Sequence, residues 1–235
     1  MHSRKLFVIF AIVGLFLPVS FAKGEVIKFA RFPHICQGSI VFSYHGDLWL
    51  IDEDGSGARQ LTDHRARDEY PRFSPDGKMI AFSSDRLGNN DIWVMPAAGG
   101  EVRQVTFHTT DDTMLYWTPE GNRILFATSR GSMQWGSPLY TVSVEGDIPV
   151  PLETGMAACG MISPEGGRLA FNRVGYRHPK KNYRGSSAAN IWVMDLRRKS
   201  FKKLTNVVLG EYKEHCHDAY PMWGADGKIY FMSER

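Results

Sequence analysis

Between Tyr70 and Thr106 short apolar bursts alternate with clusters of turn formers: YPRFSPDGKMIAFSSDRLGNNDIWVMPAAGGEVRQVT. The pattern predicts four strands. Tyr70 to Ser74 forms the first, and Pro75-Asp76-Gly77 turns the chain. Pro presets φ at the first corner, Asp bonds its own backbone, and Gly takes the positive φ that a side chain resists. Met79 to Ser83 forms a second strand that is apolar on both faces. The polar stretch Asp85 to Asn90 is a loop. Asp91 to Met95 forms a third strand around Trp93, and Val102 to Thr106, after a Gly-Gly turn, forms the fourth.

The same pattern recurs. The turn proline stands at Pro75, Pro119 and Pro164, in steps of 44 and 45 residues. The third-strand aromatic stands at Trp49, Trp93, Tyr140 and Trp192, and a closing threonine at Thr62, Thr106 and Thr205. Four short strands in about 40 residues, repeated, is the arithmetic of a β-propeller blade. A lone blade leaves two apolar faces open, so blades must stack face to face around an axis. The expected fold is all-β: four blades, at about 32–62, 68–106, 113–152 and 158–205, and the start of a fifth at 218–235 that breaks off after its second strand. The four aromatics are expected to be packing between blades.

Residues 1–22 differ in kind. His2, Arg4 and Lys5 precede an apolar run from Leu6 to Val19, and Ser20-Phe21-Ala22 places small residues for a cut after Ala22. This is the pattern of a secretory signal peptide. It predicts export to a periplasm or medium, or, uncleaved, a membrane anchor formed by residues 6–22. The remaining composition is ordinary for a globular chain of 235 residues, at 43% hydrophobic and 23% charged. Lys and Arg (28) nearly balance Asp and Glu (25). That argues against nucleic acid as a partner. Three cysteines at irregular spacing, Cys36, Cys159 and Cys216, read as isolated thiols.

No local catalytic signature is present: no Gly-x-Ser-x-Gly, no Walker loop, no His-Glu-x-x-His, no Cys-x-x-Cys. No catalytic residue and no cofactor are expected in this stretch. His215-Cys216-His217 is the densest set of potential metal ligands, but without a second half at ligand spacing it reads as a linker and no metal site is assigned. Aspartates 76, 85, 91 and 226 are explained by hydrogen bonding in turns and loops.

The fourth copy departs from the others. Phe171 to Trp192 spans 21 residues, against 11 from Phe82 to Trp93. The insertion, Arg173 to Ala189, carries five Lys and Arg residues and no acid. Long loops on a rigid scaffold concentrate function. Arg177, Lys180, Lys181, Tyr183 and Arg184 are therefore the candidate contact residues for a peptide or for another domain.

The segments Pro71-Arg72-Phe73-Ser74-Pro75-Asp76-Gly77, Asp91-Ile92-Trp93 and Asp47-Leu48-Trp49 resemble the TolB-type, WD40-like propeller repeat. From about Phe32 onward the chain is also similar to the N-terminal propeller of tricorn-type proteases. That likeness rests on Gly38 to Trp49, on Lys181-Asn182-Tyr183-Arg184-Gly185, on Ile191-Trp192-Val193 and on Ser200 to Lys203. The resemblance implies a large serine protease of the tail-specific class. Its catalytic residues would lie beyond residue 235, and its propellers filter or channel peptides. On this basis the expected role is non-catalytic peptide handling in proteolysis. The expected partners are peptides or unfolded segments and downstream domains of the same protein, with homo-oligomerisation open. The founding tricorn proteases are intracellular, so a cytoplasmic location stays open beside export. Two other roles fit the repeat: a TolB-like periplasmic interaction scaffold, and the propeller lid of a prolyl-oligopeptidase-like hydrolase.

Overall fold

In a computed structural model of the chain, the described residues are 29–131, 137–173, 188–205 and 217–233. They fold into antiparallel sheets with no helix. The first four-stranded sheet comprises β1 (Arg31–Cys36), β2 (Ser39–Tyr44), β3 (Asp47–Asp52) and β4 (Arg59–Gln60). The second comprises β5 (Asp68–Phe73), β6 (Met79–Ser84), β7 (Asp91–Pro96) and β8 (Arg103–Gln104). The third is β9 (Asp112–Trp117), β10 (Arg123–Thr128), β11 (Leu139–Ser143) and β12 (Val150–Pro151). The fourth is β13 (Gly160–Ile162), β14 (Arg168–Asn172), β15 (Ile191–Asp195) and β16 (Ser200–Lys203). A two-stranded sheet of β17 (Asp218–Trp223) and β18 (Ile229–Ser233) follows. Each sheet is a meander in sequence order, so each is a propeller blade.

Successive blades touch chiefly through their first strands: β5 packs on β1 and β2, β9 on β5 and β6, and β17 on β13 and β14. The first strands therefore form the inner wall, with the two- to four-residue fourth strands outermost. The core lies between blades. Val41 and Leu48 of the first blade bury against Phe73, Ile80, Phe82, Trp93 and Met95 of the second. The other face of the second blade, Ala81, Ile92, Val94 and Val105, buries against Met114, Trp117, Ile124, Phe126 and Val142 of the third. Alternate residues of β6 thus serve opposite neighbours, which is why the strand is apolar on both faces.

The outermost strand pairs through two residues only in the second blade, shorter than the five that the pattern predicts there. A side-chain clamp continues where the ladder stops. The Thr106 hydroxyl accepts the Ile92 N–H at 2.9 Å and donates to Asp91 at 3.1 Å, and Gln104 donates to the other Asp91 oxygen at 3.1 Å. Burial pushes the Asp91 carboxyl up, against the pull of hydrogen bonds from His108 and Thr106. Thr62, Asp47 and Gln60 repeat the arrangement in the first blade. Thr205 accepts the Ile191 N–H at 3.0 Å in the fourth. The third blade has Pro138 and Glu153 at the two positions, so aspartate and threonine are lost together.

A second repeated device joins the first strand to the end of the second. Asp68, fully buried, receives two bonds from Arg86, at 2.6 and 3.3 Å. Asp112, also fully buried, pairs with Arg130 at 2.5 Å. Each guanidinium lies over its blade's aromatic pair, Phe82 and Trp93 for Arg86, Phe126 and Tyr140 for Arg130. The stacking covers the cation with an apolar surface and leaves its hydrogen-bonding edge for the carboxylate.

The turn aspartates act as expected. Asp76 accepts from the Ser74 hydroxyl at 2.6 Å and the Lys78 N–H at 3.1 Å, with Gly77 at φ 71° beside it. Asp85 accepts the Arg67 N–H at 2.7 Å, tying the loop to the preceding blade connection. Cys36 and Cys159 are free thiols, and burial pushes Cys159 up to about 11.

Candidate functional site

The inner wall is irregular at one repeated point. Pairing between first and second strands slips between Arg31 and His34, between Glu69 and Arg72, and between Ala219 and Met222. In each of these three slips an aromatic residue sits at positive φ and a proline follows: Phe32 (53°) before Pro33, Tyr70 (56°) before Pro71, Tyr220 (56°) before Pro221; the third blade slips between Met114 and Tyr116 with neither feature. Proline has no N–H to give the ladder, so the break in pairing falls where a donor is missing. The left-handed backbone at a non-glycine residue costs on the order of 1–3 kcal/mol, and such bulges re-aim side chains. Here they bring the rings of Phe32 and Tyr70 within 3.9 Å. Tyr220, 49% exposed, stands near enough to Tyr70 to join burial and Glu69 in raising its hydroxyl pKa. Met222, 47% exposed, follows on the same strand.

Two steps beyond each bulge the wall is knitted from blade to blade. His34 Nδ1 accepts the Phe73 N–H of the next blade at 3.1 Å. Burial, with Arg72 adding to it, holds His34 down to about 4, so it is a neutral acceptor near neutral pH. Arg72 occupies the same place one blade on. It donates to the carbonyls of Pro71 (2.8 Å) and Phe32 (3.4 Å) and lies 5.1 Å from the Tyr116 ring. The Arg72 carbonyl accepts the Trp117 indole N–H at 2.9 Å, and the Met161 carbonyl accepts that of Trp223 at 3.1 Å. The wall is therefore an aromatic and cationic surface knitted from blade to blade by hydrogen bonds, with Tyr220 and Met222 half exposed on the last described sheet.

A cavity of about 740 Å³ adjoins this wall where first strands begin, lined among others by Arg31, His45, His64, Arg67 and Glu69. Ser43 also lines it, buried and without a hydrogen-bond partner among the described residues. Its counterpart Ser83 accepts the Met114 N–H of the next blade at 2.7 Å.

The candidate contact residues of the long basic loop, Arg177, Lys180, Lys181, Tyr183 and Arg184, lie outside the described residues, as do His215, Cys216 and residues 1–28. His217 is described: its Nδ1 accepts the Ala189 N–H at 3.1 Å, which gives it a place in packing the fourth blade against the fifth. The bulge residues carry no role in the sequence reading. The repeated aromatic-proline pair, at 32–33, 70–71 and 220–221, was the available signal.

The stacked four-stranded meanders and their inner wall define a β-propeller of the TolB-type, WD40-like class. Residues 27–235 match the model of the tricorn protease N-terminal β-propeller domain, and the chain belongs to that family. It is similar to a tricorn protease homolog from Streptomyces coelicolor, 43% identical over 61 residues, which is 26% of this chain and 5% of that protein. The match spans only a small part of the curated relative's length. Among solved structures, a TolB from Agrobacterium tumefaciens superposes with a TM-score of 0.69 at 19% identity, covering 86% of this chain and 68% of that one. The tricorn protease superposes with a TM-score of 0.67 at 24% identity, covering 88% of this chain and 21% of that one. These structural likenesses bear on the fold.

Proposed function

We propose that this propeller is a non-catalytic peptide-handling module of a tricorn-like serine protease, binding unfolded segments along its inner wall. The observation that carries the reading is the set of bulged aromatics on the first strands. Backbone strain is kept at Phe32, Tyr70 and Tyr220, and the exposed Tyr220 and Met222 offer stacking and apolar contact that accept many side chains. Membership of the tricorn propeller family supports it. The module binds extended chains, excludes folded ones by size, and leaves peptide-bond cleavage to a catalytic domain of the same protein. The loop cations Arg177, Lys180, Lys181 and Arg184, with Tyr183, steer acidic segments or dock another domain. The leader at residues 1–22 directs export.

The test is binding of a labelled unstructured peptide followed by anisotropy. Binding that falls about tenfold in Tyr220→Ala, and that a folded competitor fails to displace, is the expected result; an unstructured peptide that does not bind overturns the reading. Replacing Lys180, Lys181 and Arg184 by Ala is expected to weaken binding of an acidic peptide, and to do so less at high salt. The likeness to TolB favours a second reading, a scaffold for a folded protein partner. Capture of a folded partner with no affinity for unfolded peptides would select it.

A further inference from the structure

The fourth blade breaks the aspartate–arginine device of its neighbours. Ala157 stands where Asp68 and Asp112 stand, counted back from the strand-ending Ser163, Ser74 and Thr118. Counted from the second-strand phenylalanine, the sequence has Gly175 at the number that Arg86 and Arg130 hold in their repeats. A guanidinium is nonetheless present over the blade's aromatic pair. Arg173, two residues nearer the strand, lies 4.9 Å from the Trp192 ring. No described carboxylate lies within ion-pair distance of it. Beside it is a cavity of about 240 Å³ lined by Phe171, Trp192, Phe201, Arg173, Thr154 and Glu153. Thr154 is 8% exposed, yet its hydroxyl has no hydrogen-bond partner among the described residues. The carboxylate of Glu153 at the rim is engaged by Lys199 at 3.8 Å.

A buried hydroxyl without a partner is costly, by about 1–3 kcal/mol. A cation backed by an indole keeps its donors turned outward for an anion. Both stand at one cavity beside the blade's aromatic pair, in a blade that lacks the aspartate with which two sister blades pair their arginine. We infer that this cavity is a binding subsite for a peptide carboxylate, which gives Arg173 the anionic partner that the blade's own chain does not supply. The guanidinium of Arg173 donates to the carboxylate and the Thr154 hydroxyl donates to it or to the adjoining carbonyl. Phe171, Trp192 and Phe201 receive the neighbouring apolar side chain. The volume is on the scale of one large residue, so the subsite reads one position of a bound chain. The inference deepens the peptide-handling reading and rests on it.

Two carboxylates share this chemistry, the C-terminus of a peptide and an Asp or Glu side chain. Calorimetry on the full chain uses acetyl-Gly-Gly-Phe as free acid and as amide, and acetyl-Phe-Glu-amide beside acetyl-Phe-Gln-amide. The expected result is a preference of tenfold or more for the acid of one pair, lost in Arg173→Gln. The pair that shows it identifies the source. Thr154→Val separates binding from structure: it is expected to weaken the preferred peptide several-fold while leaving the urea midpoint unchanged or higher, because the hydroxyl it removes has no partner. Peptides that bind without acid preference, or a preference that survives Arg173→Gln, overturn the subsite and leave peptide handling standing. If no peptide binds at all, peptide handling fails and the subsite with it.

Discussion

His34 makes a quantitative prediction about acid stability. In the unfolded chain a histidine titrates near its ordinary value of 6.5, and in the folded protein burial beside Arg72 brings His34 down to about 4. A depressed histidine means that the unfolded state takes up the proton first. Stability is therefore unaffected above pH 6.5, falls as the pH drops below 6.5, and levels off below about 4, where both states are charged. At pH 4.5 the two titrations differ by about 2.5 kcal/mol, from 1.36 kcal/mol per pKa unit corrected for partial protonation. Other groups titrate over the same range, so the wild-type curve alone does not isolate His34. His34→Gln supplies the comparison: its amide oxygen can accept the Phe73 N–H, and it carries no proton to gain. Urea unfolding of both proteins at pH 7.5 and 4.5 yields a double difference. The expected value is about 2.5 kcal/mol, with the variant losing less on acidification. A double difference within about 0.5 kcal/mol of zero would refute the assignment of a neutral, buried acceptor. The effect would also be visible as a break in cohesion between the first and second blades, since His34 joins them.

The two repeated devices predict stability losses of different size. Asp112→Ala strands the Arg130 guanidinium, which is 16% exposed and stacked on Phe126 and Tyr140. A loss of about 3–5 kcal/mol by urea denaturation is expected, and a loss under 1 kcal/mol would show the pair to be idle. Thr106→Val leaves the Ile92 N–H without its acceptor in a buried setting and leaves one Asp91 oxygen with only the His108 N–H at 3.4 Å, for an expected loss of about 1–3 kcal/mol. Hydrogen exchange at Ile92 should rise first in that variant, and unchanged exchange would argue against the clamp.

The residues report their fold locally and their site only in assembly. Tyr70 to Thr106 specifies strands, turns and stacking because each is a short-range matter: Pro75 and Gly77 set backbone angles, and the apolar run Met79 to Phe82 demands two covered faces. The clamp was half visible, as an Asp before the third-strand aromatic and a Thr closing the repeat. Its meaning needed the distance between Asp91 and Thr106, which are 15 positions apart and meet only across a ladder. The charge-rich insertion around Lys180 and Arg184 drew the functional expectation because composition is what a linear reading sees. The inner wall did not, since Phe32, Tyr70 and Tyr220 look like ordinary strand aromatics until neighbouring first strands are packed and the rings of Phe32 and Tyr70 meet.

By itself, then, the sequence determined an all-β chain of repeated four-stranded blades, its leader-like start, and its place among tricorn-type propellers. Those follow from periodicity, turn chemistry and motif, which are written along the chain. Tertiary structure alone decided which aromatics lie on the inner wall, how His34 becomes a neutral acceptor, and that Arg173 and Thr154 share a cavity. These depend on burial and on contacts between blades. A residue's neighbours on the next blade lie about 40 positions away, where no local pattern records them.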